Sequence, residues 1–279
     1  MTRLFVACLS LTYSIYAIGS PTACPQHFAN GVAPDLLNPK LGRASTPICY
    51  EAYALLHSGL TLSALWSAER LTRTSIQAAE ILERPKGNVF HPESAVPIGQ
   101  RAELTDYARS GFDRGHLVPS GDAPSLGAQI ETFSLANMIP QNSRLNRGAW
   151  ERIESAVRRF ALSAGEVYVI TGPAYLGDQI ATLKGRVYVP THVWKVVYNP
   201  NNKQSGVYWF ANADVADYEV ITVNELTKRI GVDVLPTAPA QSKGVAMALP
   251  QPVARKYRPP SFVDGDNSLV SGFFKGWGR

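Results

Sequence analysis

Residues 192–198 (HVWKVVY) and 205–210 (SGVYWF) are apolar runs rich in β-branched and aromatic side chains, separated by a polar turn at 199–204. That is the pattern of an antiparallel hairpin, and it limits the fold more than any other feature of the chain. Runs at 167–170 and 186–189 also read as strands, and 48–56 with 60–66 reads as a second hairpin around Ser58-Gly59. Strands that follow one another without long helices between them disfavour the βαβ units of a doubly wound parallel sheet. The expected class is α+β, with a central, largely antiparallel sheet flanked by helices.

Two helices are legible. Trp150, Ile153, Val157 and Phe160 recur at spacings that place them on one face of a helix over 149–162, and Gly165 stands where helices stop. Residues 221–230 predict a shorter helix, with Thr222 as its cap and Glu225 three residues on. The stretch 72–100, rich in Pro, Arg, Gly and Asn, reads as irregular loop. No repeat of 20–50 residues is visible, and no linker divides the body. With 45% hydrophobic and 18% charged residues, the chain has the makings of a globular core. One domain is expected over 20–248, followed by a tail over 249–279.

Residues 1–19 have a different character. A single arginine, Arg3, precedes an apolar run over 4–18 that ends in Ala17-Ile18-Gly19, small residues suited to cleavage before Ser20. The run is shorter than the roughly 20 apolar residues of a membrane span. The expectation is a cleaved secretory signal and a secreted or periplasmic product without stable membrane insertion; an uncleaved anchor is the alternative. Loss of Arg3 takes the formal charge from +5 to +4, and Cys8 leaves with the segment. Cys24 and Cys49 remain, and an even pair in an exported protein is most simply a disulfide. The small basic excess is compatible with a polyanionic partner without establishing one.

Five histidines are present. HExxH spacing, a GxSxG elbow, a Walker loop and GxGxxG are all missing, which removes the usual signals of zinc peptidases, serine hydrolases and nucleotide-binding enzymes. His116 stands in Asp113-Arg114-Gly115-His116, between an apolar start and a Pro-Gly turn. In a strand Arg114 and His116 project from one face. A guanidinium beside an imidazole favours its neutral form, and a guanidinium also suits phosphate. A base next to a phosphate clamp is a start for phosphodiester hydrolysis.

Further along the chain, Asn137-Met138-Ile139-Pro140-Gln141 leads to Leu145-Asn146-Arg147-Gly148-Ala149-Trp150, with Glu154 eight residues after Asn146. Together with DRGH, in this order and spacing, these resemble the DNA/RNA non-specific endonucleases of the ββα-metal, or His-Me finger, class. The resemblance runs from about residue 50 to 236. It includes Arg84 ahead of Phe90-His91-Pro92-Glu93, then Thr171-Gly172-Pro173 and Trp194-Lys195. It departs at Glu93, where Asp is more usual, and at Pro119-Ser120-Gly121-Asp122-Ala123.

The resemblance implies that His116 is the general base activating water and that Asn146 is the protein ligand of one Mg²⁺, with Mn²⁺ an acceptable substitute. Arg114 and Arg84 would neutralise phosphate charge, Asn137 would support the site from the side, and Glu154 would hold a metal-bound water. The implied substrate is DNA and, by extension, RNA, cut with low sequence specificity. A homodimer is compatible with it, and an inhibitor partner is not identified. The alternative is a catalytically inactive nucleic-acid-binding protein for uptake or surface attachment. If Asn146 opens a regular helix, Glu154 lies about 80° round and about 12 Å along the axis, which favours a bridging water over joint ligation. The plain structural alternatives are a helix cap at Asn146, an ion pair of Glu154 with Arg158, and a loop arginine at Arg84.

Overall fold

The computed structural model describes residues 22–87, 89–215 and 217–252. The expected leader over 1–19, with Cys8, and the tail beyond 252 lie outside the described residues. A seven-stranded sheet organises the rest. Its strands are β1 (Ser45–Cys49), β2 (Tyr53–Ser58), β3 (Ser63–Thr72), β6 (Glu166–Ala174), β7 (His192–Asn199), β8 (Gln204–Ala211) and β9 (Glu219–Ile221). Between β3 and β6 the chain forms a separate ribbon of β4 (Asp113–His116) and β5 (Met138–Gln141). The sheet order is β9-β8-β7-β6-β3-β2-β1, and every pair is antiparallel. The α+β class with a central antiparallel sheet is therefore observed.

The hairpin over 192–210 forms as its alternation predicts, with Trp194 opposite Trp209 and Val196 opposite Val207. Residues 48–56 are not one strand. The chain turns at 50–52, so β1 and β2 form a hairpin before β2 pairs with β3. The run 186–189 shrinks to Val187–Tyr188, which pairs with Thr182–Leu183 away from the main sheet. The expected loop after Thr72 starts as a helix instead, α1 (Arg73–Glu80), closed by a reciprocal cap between Thr72 and Ser75. Only Ile76 and Ala79 of α1 are buried, too few apolar positions for a period to register in the sequence.

Side chains alternate across the sheet and build two cores. On one face Leu71, Val169, Val193, Val197 and Phe210 pack against Trp150, Ile153 and Val157 of the long helix that ends in α2 (Glu151–Ala164). On the other, Trp66, Ile170, Val196 and Trp209 pack against Phe28 and against Val223 and Leu226 of α3 (Val223–Ile230). The Thr222–Glu225 capping box and the left-handed Gly231 bound α3 as its sequence predicts. Leu249, assigned to the tail in the sequence reading, is 4% exposed and belongs to the first core.

Cys24 and Cys49 are bonded, joining the segment under the second core to the end of β1. In the chain-entropy account a loop of this length contributes roughly 3 kcal/mol. The double variant Cys24→Ser/Cys49→Ser should therefore melt about 6–12 °C lower in scanning calorimetry for a chain of this size. An unchanged midpoint would show that the bridge adds nothing to the fold.

Candidate active site

The ribbon β4–β5 and the helix after it form one unit. Asp113 pairs with Gln141, Arg114 with Pro140, Gly115 with Ile139 and His116 with Met138. Gly115 has no alternative here, because an added Cβ would lie 2.1 Å from the Gln141 side-chain oxygen and 2.5 Å from its Cβ. The chain then turns at Asn142, whose side chain accepts from the amides of Arg144 (3.0 Å) and Leu145 (3.2 Å). Asn142 is thus the helix cap, which leaves the Asn146 side chain for another task.

Helical backbone runs from Ser143 to Ala164, with a π-helical segment over Asn146–Trp150. That segment changes the geometry expected from spacing. A π turn takes up one extra residue, so eight residues advance like about seven, leaving roughly 20° between Asn146 and Glu154 rather than about 80°. Both side chains consequently face the same cleft. Sequence reasoning missed this because nothing in NRGAW marks a π turn.

The cleft has a volume of about 620 Å³. It brings together Arg84, Arg114, His116, Asn146 and Glu154, five of the six residues singled out from the sequence. Asn137 is not on its wall. It is fully buried behind β4, where its amide donates to the carbonyls of Val118 (2.9 Å) and Thr132 (2.9 Å), and its oxygen accepts from the Val118 amide (3.1 Å) and the Ser67 hydroxyl (3.2 Å). Asn137 therefore grips the chain leaving His116 from behind the cleft wall.

The His116 ring packs edge-on against Phe133, 4.9 Å between centroids, and tilted against Phe90 at 5.9 Å. Its Nε2 is closed off from solvent and has no hydrogen-bond partner among the described residues, which leaves Nδ1 as the nitrogen presented to the cleft. Burial, followed by the positive charge of Arg84, pushes the imidazole down from 6.5 to about 3. The sequence reading assigned that charge to Arg114. Instead, the Arg114 guanidinium lies over the Phe90 ring at 4.2 Å and Arg84 stands over Phe133 at 5.0 Å. Arg84 thus stands on the cleft wall beside the His116 ring.

The lowered value has a thermodynamic consequence. Between about 3 and 6.5 the unfolded chain binds a proton at His116 that the folded chain refuses, so this group makes stability rise with pH across that window. In metal-free protein, His116→Gln should flatten the rise of the urea midpoint over roughly pH 4–6. A slope equal to that of the unchanged chain would refute the neutral imidazole.

Asn146 donates its amide to Asp113 Oδ2 at 2.9 Å, which fixes the rotamer and leaves Oδ1 as the atom available to a ligand. Asp113 also accepts from Ser143 Oγ at 2.9 Å and from Arg147 at 2.7 and 2.8 Å. Burial raises the Asp113 carboxyl, but the hydrogen bonds from Arg147, Asn146 and Ser143 outweigh this and hold it below its ordinary value. Nothing in the sequence alone assigns Asp113 a role. Its signal was the first letter of DRGH, which the ladder places three residues before His116 on the same strand.

Glu154 does not pair with Arg158. That arginine donates to Asp122 Oδ1 at 2.6 Å and to Ser155 Oγ at 3.0 Å while lining the same cleft. Burial is the main reason the Glu154 carboxyl rises to about 7, with Lys195 and Arg158 opposing the rise and Asp122 and Glu151 adding to it. Glu93, the departure noted above, is a buried anchor. Its carboxylate accepts from Tyr50, from Ser134 (2.7 Å) and from the Ala95 amide (2.9 Å), bracing the segment that carries Phe90.

A hard oxygen donor oriented by a carboxylate, with two further carboxylates on the same wall, fits a divalent cation such as Mg²⁺. Among the described residues no group of three or more His, Cys, Asp or Glu side chains could hold an ion, so the protein shell would be sparse. The model of the DNA/RNA non-specific endonuclease family matches residues 35–241, about three quarters of the chain and the whole cleft.

The chain belongs to the DNA/RNA non-specific endonuclease family.

Relatives within the family include nuclease C1 of Cunninghamella echinulata var. echinulata, 36% identical over 57% of this chain and 67% of that protein. Mitochondrial endonuclease G of Caenorhabditis elegans is 37% identical over 60% of this chain and 59% of its own length, so the chain spans about three fifths of that relative. Among solved structures, one described as the EndoG/EndoGI complex, addressing the mechanism of EndoG inhibition, superposes with a TM-score of 0.65 at 27% identity. That match covers 70% of this chain and 88% of the other. The family's ββα-metal unit corresponds here to β4, β5 and the helix that begins at Ser143.

Proposed function

We propose that this protein is a metal-dependent endonuclease that hydrolyses phosphodiester bonds of DNA and RNA with low sequence specificity. The observation that carries this reading is the single cleft in which a neutral His116, an oriented Asn146 oxygen and the guanidinium groups of Arg84 and Arg114 converge. His116 accepts the proton of an attacking water at Nδ1, a role that requires the unprotonated ring its surroundings enforce. Arg84 and Arg114 offset phosphate charge from the wall opposite the helix. Asn146 Oδ1 would hold the cation, and Glu154, on the same helical face, would hold one of its waters. Bound there, Mg²⁺ supplies positive charge against the phosphate and the leaving 3′-oxygen, and Mn²⁺ can do the same.

Low specificity follows from contacts to backbone phosphates, which carry no sequence information. The disulfide fits the oxidising compartment expected for an exported protein, secreted or periplasmic. Among the described residues no helix is long and apolar enough to cross a membrane. Plasmid nicking, run in parallel on single-stranded DNA and RNA, tests the reading. Cleavage should require Mg²⁺ and stop in EDTA. Cleavage that survives EDTA would remove the metal from the mechanism, and binding without cleavage would favour the inactive nucleic-acid binder.

A further inference from the structure

Apart from Glu69, the sheet face beneath the cleft is apolar except for a polar row through its centre. Ser67 of β3 pairs in register with Thr171 of β6, and Thr171 pairs with Lys195 of β7. Around them lie Leu71, Val169, Val193, Val197 and Phe210. Lys195 is 1% exposed. Its Nζ donates to Thr171 Oγ1 at 2.7 Å and to the carbonyl of Leu117 at 3.4 Å, and it stands 5.4 Å from the centre of the Trp150 ring. Leu117 directly follows His116. Ser67, the other end of the row, donates to Asn137, which grips both backbone groups of Val118. Two arms rising from the sheet thus hold the two residues after the base.

We propose that Lys195 is a positioning residue for the hydrolytic reaction, fixing the carbonyl of Leu117 so that His116 is held against the cleft, and presenting its buried charge to Glu154. This rests on the nuclease reading above. A methionine would fill the same space without the cost of desolvating an ammonium, so packing alone does not account for a lysine here. The groups around it are mainly acidic. Glu69, 2% exposed and two residues from Ser67 on the same face, and Glu154 on the helix above both feel its charge; Asp122 and Arg158 complete the set. One Glu69 oxygen, Oε1, is buried without a partner among the described residues. Lys195, together with Arg158, thus lets carboxylates sit under a site built to receive phosphate.

The test separates alignment from simple stabilisation. Lys195→Met should lower kcat roughly 10- to 100-fold, the range expected when a reacting group is misplaced by about 1 Å. KM for nucleic acid should stay within about twofold, since the groups proposed to contact phosphate remain. Amide hydrogen exchange at Leu117 and Val118 should speed up. Because Lys195→Met leaves Glu69 unbalanced and can unfold the chain, Lys195→Met/Glu69→Gln is made beside it. The double variant should regain thermal stability while kcat stays low and exchange at 117–118 stays fast. Recovery of kcat together with stability would overturn the proposal, as would an unchanged kcat in a folded single variant. Wild-type chain that cleaves no substrate would overturn the nuclease reading and this inference with it.

Discussion

Replacing His116 with alanine should lower turnover at least about 100-fold, the usual cost of losing a general base, while affinity for nucleic acid changes little. The expectation follows from the division of labour in the cleft. Arg84 and Arg114 carry the charge proposed to meet phosphate, and neither depends on a hydrogen bond from the imidazole. Among the described residues, His116 is the one imidazole on the cleft wall, and its partner-free Nδ1 has no substitute there. Alanine also leaves a gap between Phe90 and Phe133, so His116→Gln should be measured beside it to separate packing from proton transfer. Both variants should be slow, with far-ultraviolet circular dichroism like that of the unchanged chain. Near-normal turnover in either would refute His116 as the base.

Asn146→Ala should raise the Mg²⁺ concentration needed for half-maximal nicking by at least about tenfold, or abolish activity at any concentration. The Asn142 cap survives in this variant, so helix stability is not the confounding term. Asp113→Asn offers a graded control. It keeps the ligand atom but weakens the contacts that orient it, from Asn146 at 2.9 Å and Arg147 at 2.7 Å. Its metal titration should fall between those of the unchanged chain and Asn146→Ala. Calorimetric titration of Mg²⁺ without substrate checks the same order independently of turnover. An unaltered titration in Asn146→Ala would remove this residue from the metal site.

Much of the site was legible because its parts are local. The DRGH letters place Arg114 and His116 on one strand face, and the strand is where they predict it. Gly115 belongs there for a reason visible only across the ladder, since Gln141 occupies the space a side chain would need. The pieces Thr171-Gly172-Pro173 and Trp194-Lys195 looked like separate marks along the chain. In the fold they touch: Trp194 Nε1 donates to the Pro173 carbonyl at 3.0 Å, and an added Cβ at Gly172 would lie 2.4 Å from the Trp194 ring. The helix over 149–162 was legible from its apolar period, but its first six residues were not. Apart from the buried Leu145 they are polar or small, and their backbone is held by the Asn142 cap and by Asn212, which accepts from the Asn142 amide and donates to the carbonyl of Pro140.

By itself the sequence determined the antiparallel α+β character, the 192–210 hairpin, the two capped or Gly-ended helices and the strand that carries Arg114 and His116, because alternation, helical period and motif spacing are properties of neighbours along the chain. The tertiary structure alone decided which arginine opposes His116, that Asn137 stands behind the cleft, that a π turn swings Asn146 onto the face of Glu154, and that Lys195 is buried beneath both. Each of these depends on how far apart in space two distant segments come to rest. That distance is set by the packing of β4, β5 and the long helix onto one sheet face, and no local pattern carries it.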